Sequence, residues 1–215
     1  MTASNLWPDA RHAQAYLDKR ASIPQHEAAM QALLEWVPTT ARRVLDLGTG
    51  DGIVLAEVLD RCPSASGVAV DFSERMLDAA RARFAGDGRV EVVTHDLAEP
   101  LPDLGGFDLV ASAFAIHHLD HERKRALYGE VADRLTPGGV FLNLEHVASP
   151  TDTLHAGFLA VLGIDPVDDD PSNQLLGVET QLRWLRELGF GDVDCHWKWR
   201  ELALLAGVRV GGPEG

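Results

Sequence analysis

Five short apolar runs, each followed by an amphipathic stretch, constrain this chain more than any other feature. The runs are "RRVLDLG", "SGVAVDF", "GRVEVVTHD", "FDLVASAFAI" and "VFLNLEHV". The stretches between them have helical spacing. In "IVLAEVLDRC", Val54, Val58, Leu59 and Cys62 share one face. In "ERMLDAARARF", Met76, Leu77, Ala80 and Phe84 point inward, with Ser73 placed as the N-cap. "HERKRALYGEVADRL" follows the cap Asp120, carries Leu127, Val131 and Leu135 as a stripe, and ends at "TPGG". Strands alternating with helices imply right-handed parallel βαβ units in a doubly wound α/β sheet. "FDLVASAFAI" is almost wholly apolar, as a strand buried on both faces should be.

Outside this core the pattern changes. Residues 11 to 37 read as helical, with Ala28, Ala29, Ala32, Leu33, Trp36 and Val37 at helical spacing and Pro38 as the stop. Residues 149 to 177 are rich in Pro, Asp and Gly, and Asp168 to Asp170 read as a solvated loop. "ETQLRWLRELGF" is a further helix, closed by Gly189. "VDCHWKWRELALL" reads as one or two strands reversing at Arg200 and Glu201, and so short a connection requires antiparallel pairing. At 215 residues the chain fits a single domain. The expected division is a helical lid over 1–40, a core over 42–147, an insertion over 149–177 and a closing helix and strands over 178–207.

The core ends its first strand in "VLDLGTGDG", and the glycines Gly48, Gly50 and Gly52 resemble a phosphate cradle. Their spacing is GxGxG, where the nicotinamide-cofactor fingerprint is GxGxxG. The carboxylates separate the two patterns. Asp46 beside a pyrophosphate adds repulsion of about 1–4 kcal/mol, whereas a ligand with an ammonium or sulfonium is attracted. Asp71 ends the second strand, 19 residues after Gly52, where an acid can accept from both ribose hydroxyls. Asp96 ends the third, where an acceptor can meet an exocyclic adenine amine. A cation-binding loop, a ribose acid and an adenine acid together describe S-adenosyl-L-methionine. Asp51 reads as a solvated loop residue.

The chain resembles the class I S-adenosylmethionine-dependent methyltransferases through "VLDLGTGDG", "VAVDFSERML", "THDL", "FDLVASAFAIHHL" and "LTPGGVFLNLEH", over roughly residues 42 to 147. The resemblance implies a Rossmann-like, seven-stranded sheet, mostly parallel, with an antiparallel last strand. It implies close backbone approach to the donor at Gly48, Thr49 and Gly50, and a role for Asp46 at the donor's amino end. Asp71, Phe72 and Met76 would serve the ribose side, Asp96 and Leu97 the adenine, and backbone near Ala113 and Phe114 the sulfonium. Arg20, in the lid with Tyr16 and His26, is a candidate partner for the donor carboxylate.

Methyl transfer needs proximity and a dry cavity, and a base only where the acceptor must lose a proton. His117, His118 and His146 are the candidate catalytic residues, since imidazole titrates near neutrality. "HHLDH" is not read as a metal site, because His117, His118 and His121 on one turn do not converge on one ion. Trp184, Trp197 and Trp199 read as packing residues. "RASIP" and the late helix are also similar to carboxy-S-adenosylmethionine synthase, but that synthase needs an arginine where this chain has Trp184, flanked by Arg183 and Arg186.

Lys plus Arg number 19 and Asp plus Glu 33, a net charge of −14 that opposes nucleic-acid acceptors. The two cysteines, Cys62 and Cys195, form no CxxC. The first 20 residues lack a signal-peptide apolar region, and no run of about 18 apolar residues exists to span a membrane. The expectation is a soluble cytoplasmic methyltransferase with a small-molecule acceptor, and a homodimer is compatible with it. The competing expectations are a non-catalytic S-adenosylmethionine-binding module and a nicotinamide-dependent dehydrogenase.

Overall fold

A computed structural model describes residues 24 to 211. Seven strands form one sheet in the order β3-β2-β1-β4-β5-β7-β6. They are β1 (Arg43–Leu47), β2 (Ser66–Asp71), β3 (Val90–Thr94), β4 (Phe107–Ala113), β5 (Leu135–His146), β6 (Phe190–Trp199) and β7 (Leu202–Arg209). The pairs among β1 to β5 are parallel, and β7 runs antiparallel to both β5 and β6. The expected seven-stranded Rossmann-like sheet with an antiparallel last strand is therefore present, and the chain reverses at Arg200 and Glu201 as the apolar pattern required.

Six helices accompany the sheet among the described residues: α1 (His26–Glu35), α2 (Ile53–Arg61), α3 (Glu74–Arg83), α4 (His121–Arg134), α5 (Asp152–Leu162) and α6 (Val178–Glu187). One face of the sheet packs Ala29, Leu33 and Val37 of the α1 region and Val54, Val58, Leu59 and Cys62 of the α2 region against Leu109, Ala111, Leu142 and Leu144. The other packs Leu127, Val131, Trp184 and Leu185 of α4 and α6 against Leu45, Leu47, Val110 and Phe141. Burial on both faces explains why β1, β2 and β4 lack a polar alternation, whereas the edge strand β3 carries the exposed Glu91 and Thr94.

Local expectations are refined at four places. The helix expected over 11–37 begins, within the described residues, at His26, because Gln25 takes a left-handed conformation (φ 64°). Ser73 is the N-cap of α3, as expected, but its side chain makes no capping bond; its amide donates to Asp71 Oδ1 at 2.9 Å. "TPGG" does not separate helix from strand, since β5 begins at Leu135 and carries an irregularity through that segment. Residues 149–177 contain α5, whose start Thr151 caps by accepting from the Leu154 amide.

Candidate functional site

The order of strands reverses between β1 and β4, and ligands of doubly wound sheets bind at the carboxyl ends of strands flanking such a point. The glycine loop after β1 lies there. Gly48 has φ +66°, and a Cβ on it would fall 2.2 Å from the Cβ of Ala115, so only glycine fits. Gly50 has φ +57°, and a Cβ there would meet nothing within 4 Å, leaving the loop's backbone open to close approach. The loop is fastened to β2: Thr49 N donates to Val70 O and Gly50 N to Asp71 Oδ2, each at 2.9 Å.

Asp51 is not the solvated residue expected. It is buried and pairs with Arg83 at the end of α3 (Nη2 to Oδ2, 2.8 Å), while Arg83 Nε donates to the Asp51 carbonyl at 2.7 Å. The Asp51 carboxylate anchors the glycine loop to α3.

Asp46 is 1% exposed. Thr49 Oγ1 donates to its Oδ2 at 2.6 Å, and its Oδ1 is buried with no hydrogen-bond partner among the described residues. Burial raises its pKa to about 7. A buried acceptor without a donor costs about 1–3 kcal/mol. An ammonium placed against Oδ1 supplies the missing donor and the missing charge together, so this residue fits the amino end of S-adenosylmethionine. Asp71 accepts one amide on each oxygen, Ser73 N on Oδ1 and Gly50 N on Oδ2, which leaves lone pairs for a pair of ribose hydroxyls. Its pKa is raised by burial against those hydrogen bonds.

Asp96 lies just past β3, exposed, with Oδ1 accepting the Ala98 amide at 2.9 Å. Leu97 and Met76 are buried, Phe72 and Ala113 half-buried. Phe114 takes φ 52° and donates its amide to Leu144 O, turning the chain off β4. Of the lid candidates, Arg20 and Tyr16 lie outside the described residues; His26 faces Phe114 with ring centroids 6.2 Å apart.

The three candidate histidines gather at the carboxyl ends of β4 and β5. His117 lies on the 3-10 turn Ile116–His118 that follows β4. Its Nδ1 is 2.8 Å from Glu145 Oε1, and both side chains are buried. Burial pushes the His117 pKa well below that of free imidazole and raises Glu145 to about 7. The buried Lys124 donates to the carbonyls of His117 and Gln174, so α4 holds the turn from beneath. His118 Nδ1 meets Ser172 Oγ at 3.0 Å, and the His121 ring meets Leu175 O at 3.2 Å. The three neighbouring rings thus address three different partners, and no group of three metal-ligating side chains converges among the described residues.

His146 ends β5, 5.6 Å from His117 between ring centroids. Its Nε2 is 3.0 Å from Glu201 Oε2. Glu201 is fully buried and also takes hydrogen bonds from Ser149 Oγ and His155 Nδ1. His155, on α5, bonds through its other nitrogen to Asp169 at 3.3 Å, so "DDD" is only partly solvated. Glu201 was legible as a turn residue but not as a site residue. Pairing of His146 with Leu202 across β5 and β7 is what carries it there. Lys124, Ser172 and His155 carried no local signal either, since each acts through an element far away in sequence.

Trp184 packs between α4 and α6, while Arg183 and Arg186 point outward to Glu187 and to the Val193 carbonyl. None offers a cation to a ligand at the strand ends, which disfavours the carboxy-S-adenosylmethionine reading. Trp197 packs on the core and Trp199 on Phe158, as expected.

Comparison with known proteins bears on this arrangement. A methyltransferase-domain family matches residues 44–139. The chain is 33% identical over 175 residues to a demethylmenaquinone methyltransferase of Clavibacter sepedonicus, covering 73% of this chain and 69% of that one. It is 29% identical over 160 residues to the 3-hydroxy-5-methyl-1-naphthoate 3-O-methyltransferase of Streptomyces sahachiroi, covering 71% of this chain and 44% of that one. Among solved structures, an O-methyltransferase family protein from Burkholderia thailandensis superposes with a TM-score of 0.76 at 27% identity, covering 95% of this chain and 61% of that one.

Proposed function

The chain belongs to the class I S-adenosylmethionine-dependent methyltransferases, and from that premise we propose that it methylates a hydroxyl oxygen of a small molecule with His117 as the general base. The observation that carries this reading is the buried His117–Glu145 pair at the carboxyl ends of β4 and β5, beside the glycine loop. S-adenosylmethionine supplies an electrophilic methyl carbon: the oxygen's electron pair makes the new C–O bond, and the C–S bond pair stays with the demethylated sulfur.

The chain's own residues do the rest. Asp46 and the glycine loop hold the donor's amino end, Asp71 the ribose and Asp96 the adenine edge. Phe72, Met76, Leu97 and Ala113 shape that cavity, and Arg20 is assigned to the donor carboxylate. His117 is neutral before the reaction. With Nδ1–H donated to the Glu145 carboxylate, its Nε2 lone pair takes the hydroxyl proton, and Glu145 stabilises the imidazolium that forms. His118, tied to Ser172, is assigned to shaping the cleft. A net charge of −14 favours a small acceptor over nucleic acid. No helix of the described residues is long and apolar enough to cross a membrane. A cytoplasmic location accords with this reading.

The test is methyl transfer from S-adenosylmethionine into a panel of hydroxylated small molecules, with products located by mass spectrometry. His117→Ala should lose about 10²–10⁴-fold in turnover with donor affinity retained. Turnover equal to the parent's from about pH 6 to 9 would remove His117 as the base.

A further inference from the structure

The acceptor side contains two imidazoles held in the same manner. His117 is backed by the buried Glu145 at 2.8 Å, and His146 by the buried Glu201 at 3.0 Å. Their rings stand 5.6 Å apart, edge to face, at the ends of adjoining strands. Only the first pair is used by the reading above.

The tautomers follow from the partners. Burial opposes ionisation of Glu201, but hydrogen bonds from His146, Ser149 and His155 outweigh it and hold the carboxyl below the usual range. A carboxylate only accepts, so His146 donates through Nε2–H, and in the neutral ring the lone pair then lies on Nδ1. Glu145, raised by burial, is ionised above about pH 7; there His117 donates through Nδ1–H to its carboxylate and keeps its lone pair on Nε2. These two nitrogens take no hydrogen bond among the described residues, and neither is among the buried polar atoms left without a partner. The site therefore presents two acceptor nitrogens from rings 5.6 Å apart. Phe158, 1% exposed and 5.4 Å from the His146 ring, gives this side an aromatic wall.

A single hydroxyl satisfies one of these acceptors and leaves the other unpaired in a largely buried place, a cost of about 1–3 kcal/mol. Two hydroxyls on neighbouring ring carbons satisfy both. We propose that the acceptor is an aromatic ring bearing vicinal hydroxyls, one deprotonated and methylated at His117, the other donating its hydrogen bond to His146. This deepens the O-methylation reading and rests on it for the role of His117.

The test measures binding and turnover separately. Catechol, resorcinol, hydroquinone and phenol are titrated into the protein saturated with S-adenosylhomocysteine. Catechol should bind about tenfold more tightly than phenol, the worth of one neutral hydrogen bond. In His146→Phe that advantage should vanish while phenol affinity holds. Glu201→Gln provides a second variant, should His146→Phe lose the parent's thermal transition. An amide can donate to His146 Nε2 and move the proton to Nδ1, so Glu201→Gln should favour 2-methoxyphenol over catechol. Equal binding of phenol and catechol by the parent, no binding of any of the four, or a catechol preference that survives both variants overturns the inference. Catechol-selective binding without methyl transfer sinks the O-methylation reading and leaves the subsite standing. Methyl transfer to both phenol and catechol with equal binding of the two does the reverse.

Discussion

At the scale of single residues, the acids proposed to meet the donor stood out in the sequence because each lies at or beside the carboxyl end of a strand, where this architecture places ligands. Asp46 and Asp71 were candidates from position alone. What position does not reveal is how much of each carboxylate the protein already uses. Asp71 ties the glycine loop to α3 through two amides, so it holds the site's shape as well as facing it. Asp71→Ala should weaken donor binding by about 1–3 kcal/mol, read by calorimetry; unchanged affinity in a folded variant would remove the ribose assignment. The pH dependence of turnover belongs here too. Glu145, raised by burial to about 7, must be ionised to support His117 as a base. Turnover at saturating substrate should therefore rise as pH passes upward through about 7, and Glu145→Gln should lower turnover and abolish that rise. A parent profile flat across that window would exclude the pair.

At the scale of elements, the glycine loop illustrates what patterns convey and what they omit. The GxGxG run marked a tight turn, and Gly48 proves to be required by contact with Ala115, on the segment after β4. The Arg83–Asp51 pair could not be foreseen, because its partners lie 32 residues apart and meet only once β2 and α3 have folded back onto the loop. Gly48→Ala should destabilise the protein by about 1–3 kcal/mol, since strain at positive φ and overpacking act together, measured by denaturant titration. Arg83→Ala should raise the donor dissociation constant several-fold, leaving the pH profile of turnover unmoved. A shifted profile would place Arg83 in contact with the acceptor chemistry instead. Helix α5 escaped notice for the opposite reason: Pro and Asp around it dominated the composition of its segment and obscured eleven helical residues.

For the whole molecule, alternation of apolar runs with helices determined class and strand direction, but it carried no information on strand order beyond the parallel core. The electrostatic consequence is also global. Asp46 and Glu145 are both buried and both raised to about 7. The folded state holds their protons where the unfolded chain, with ordinary carboxyl values near 4, has released them. Stability from this source is full below about pH 4, falls as pH rises toward 7, and is gone above it. Asp46→Asn should therefore raise the melting temperature more at pH 8 than at pH 5. An equal change at both values would mean that Asp46 is not protonated in the folded protein under those conditions.

The placing of β7 between β5 and β6 has a consequence for biosynthesis. A chain emerging from the ribosome completes β1 to β5, the glycine loop and the donor acids first. Then β6 appears with no strand to pair with, because its only neighbour in the sheet, β7, follows it in the chain. Glu201, at the turn between them, reaches His146 and His155 only when β7 slides into the gap. The glycine loop and the His117–Glu145 pair thus lie in segments made before the Glu201 anchor of His146. A nascent chain halted near Trp199 would carry His146 without the carboxylate that holds it.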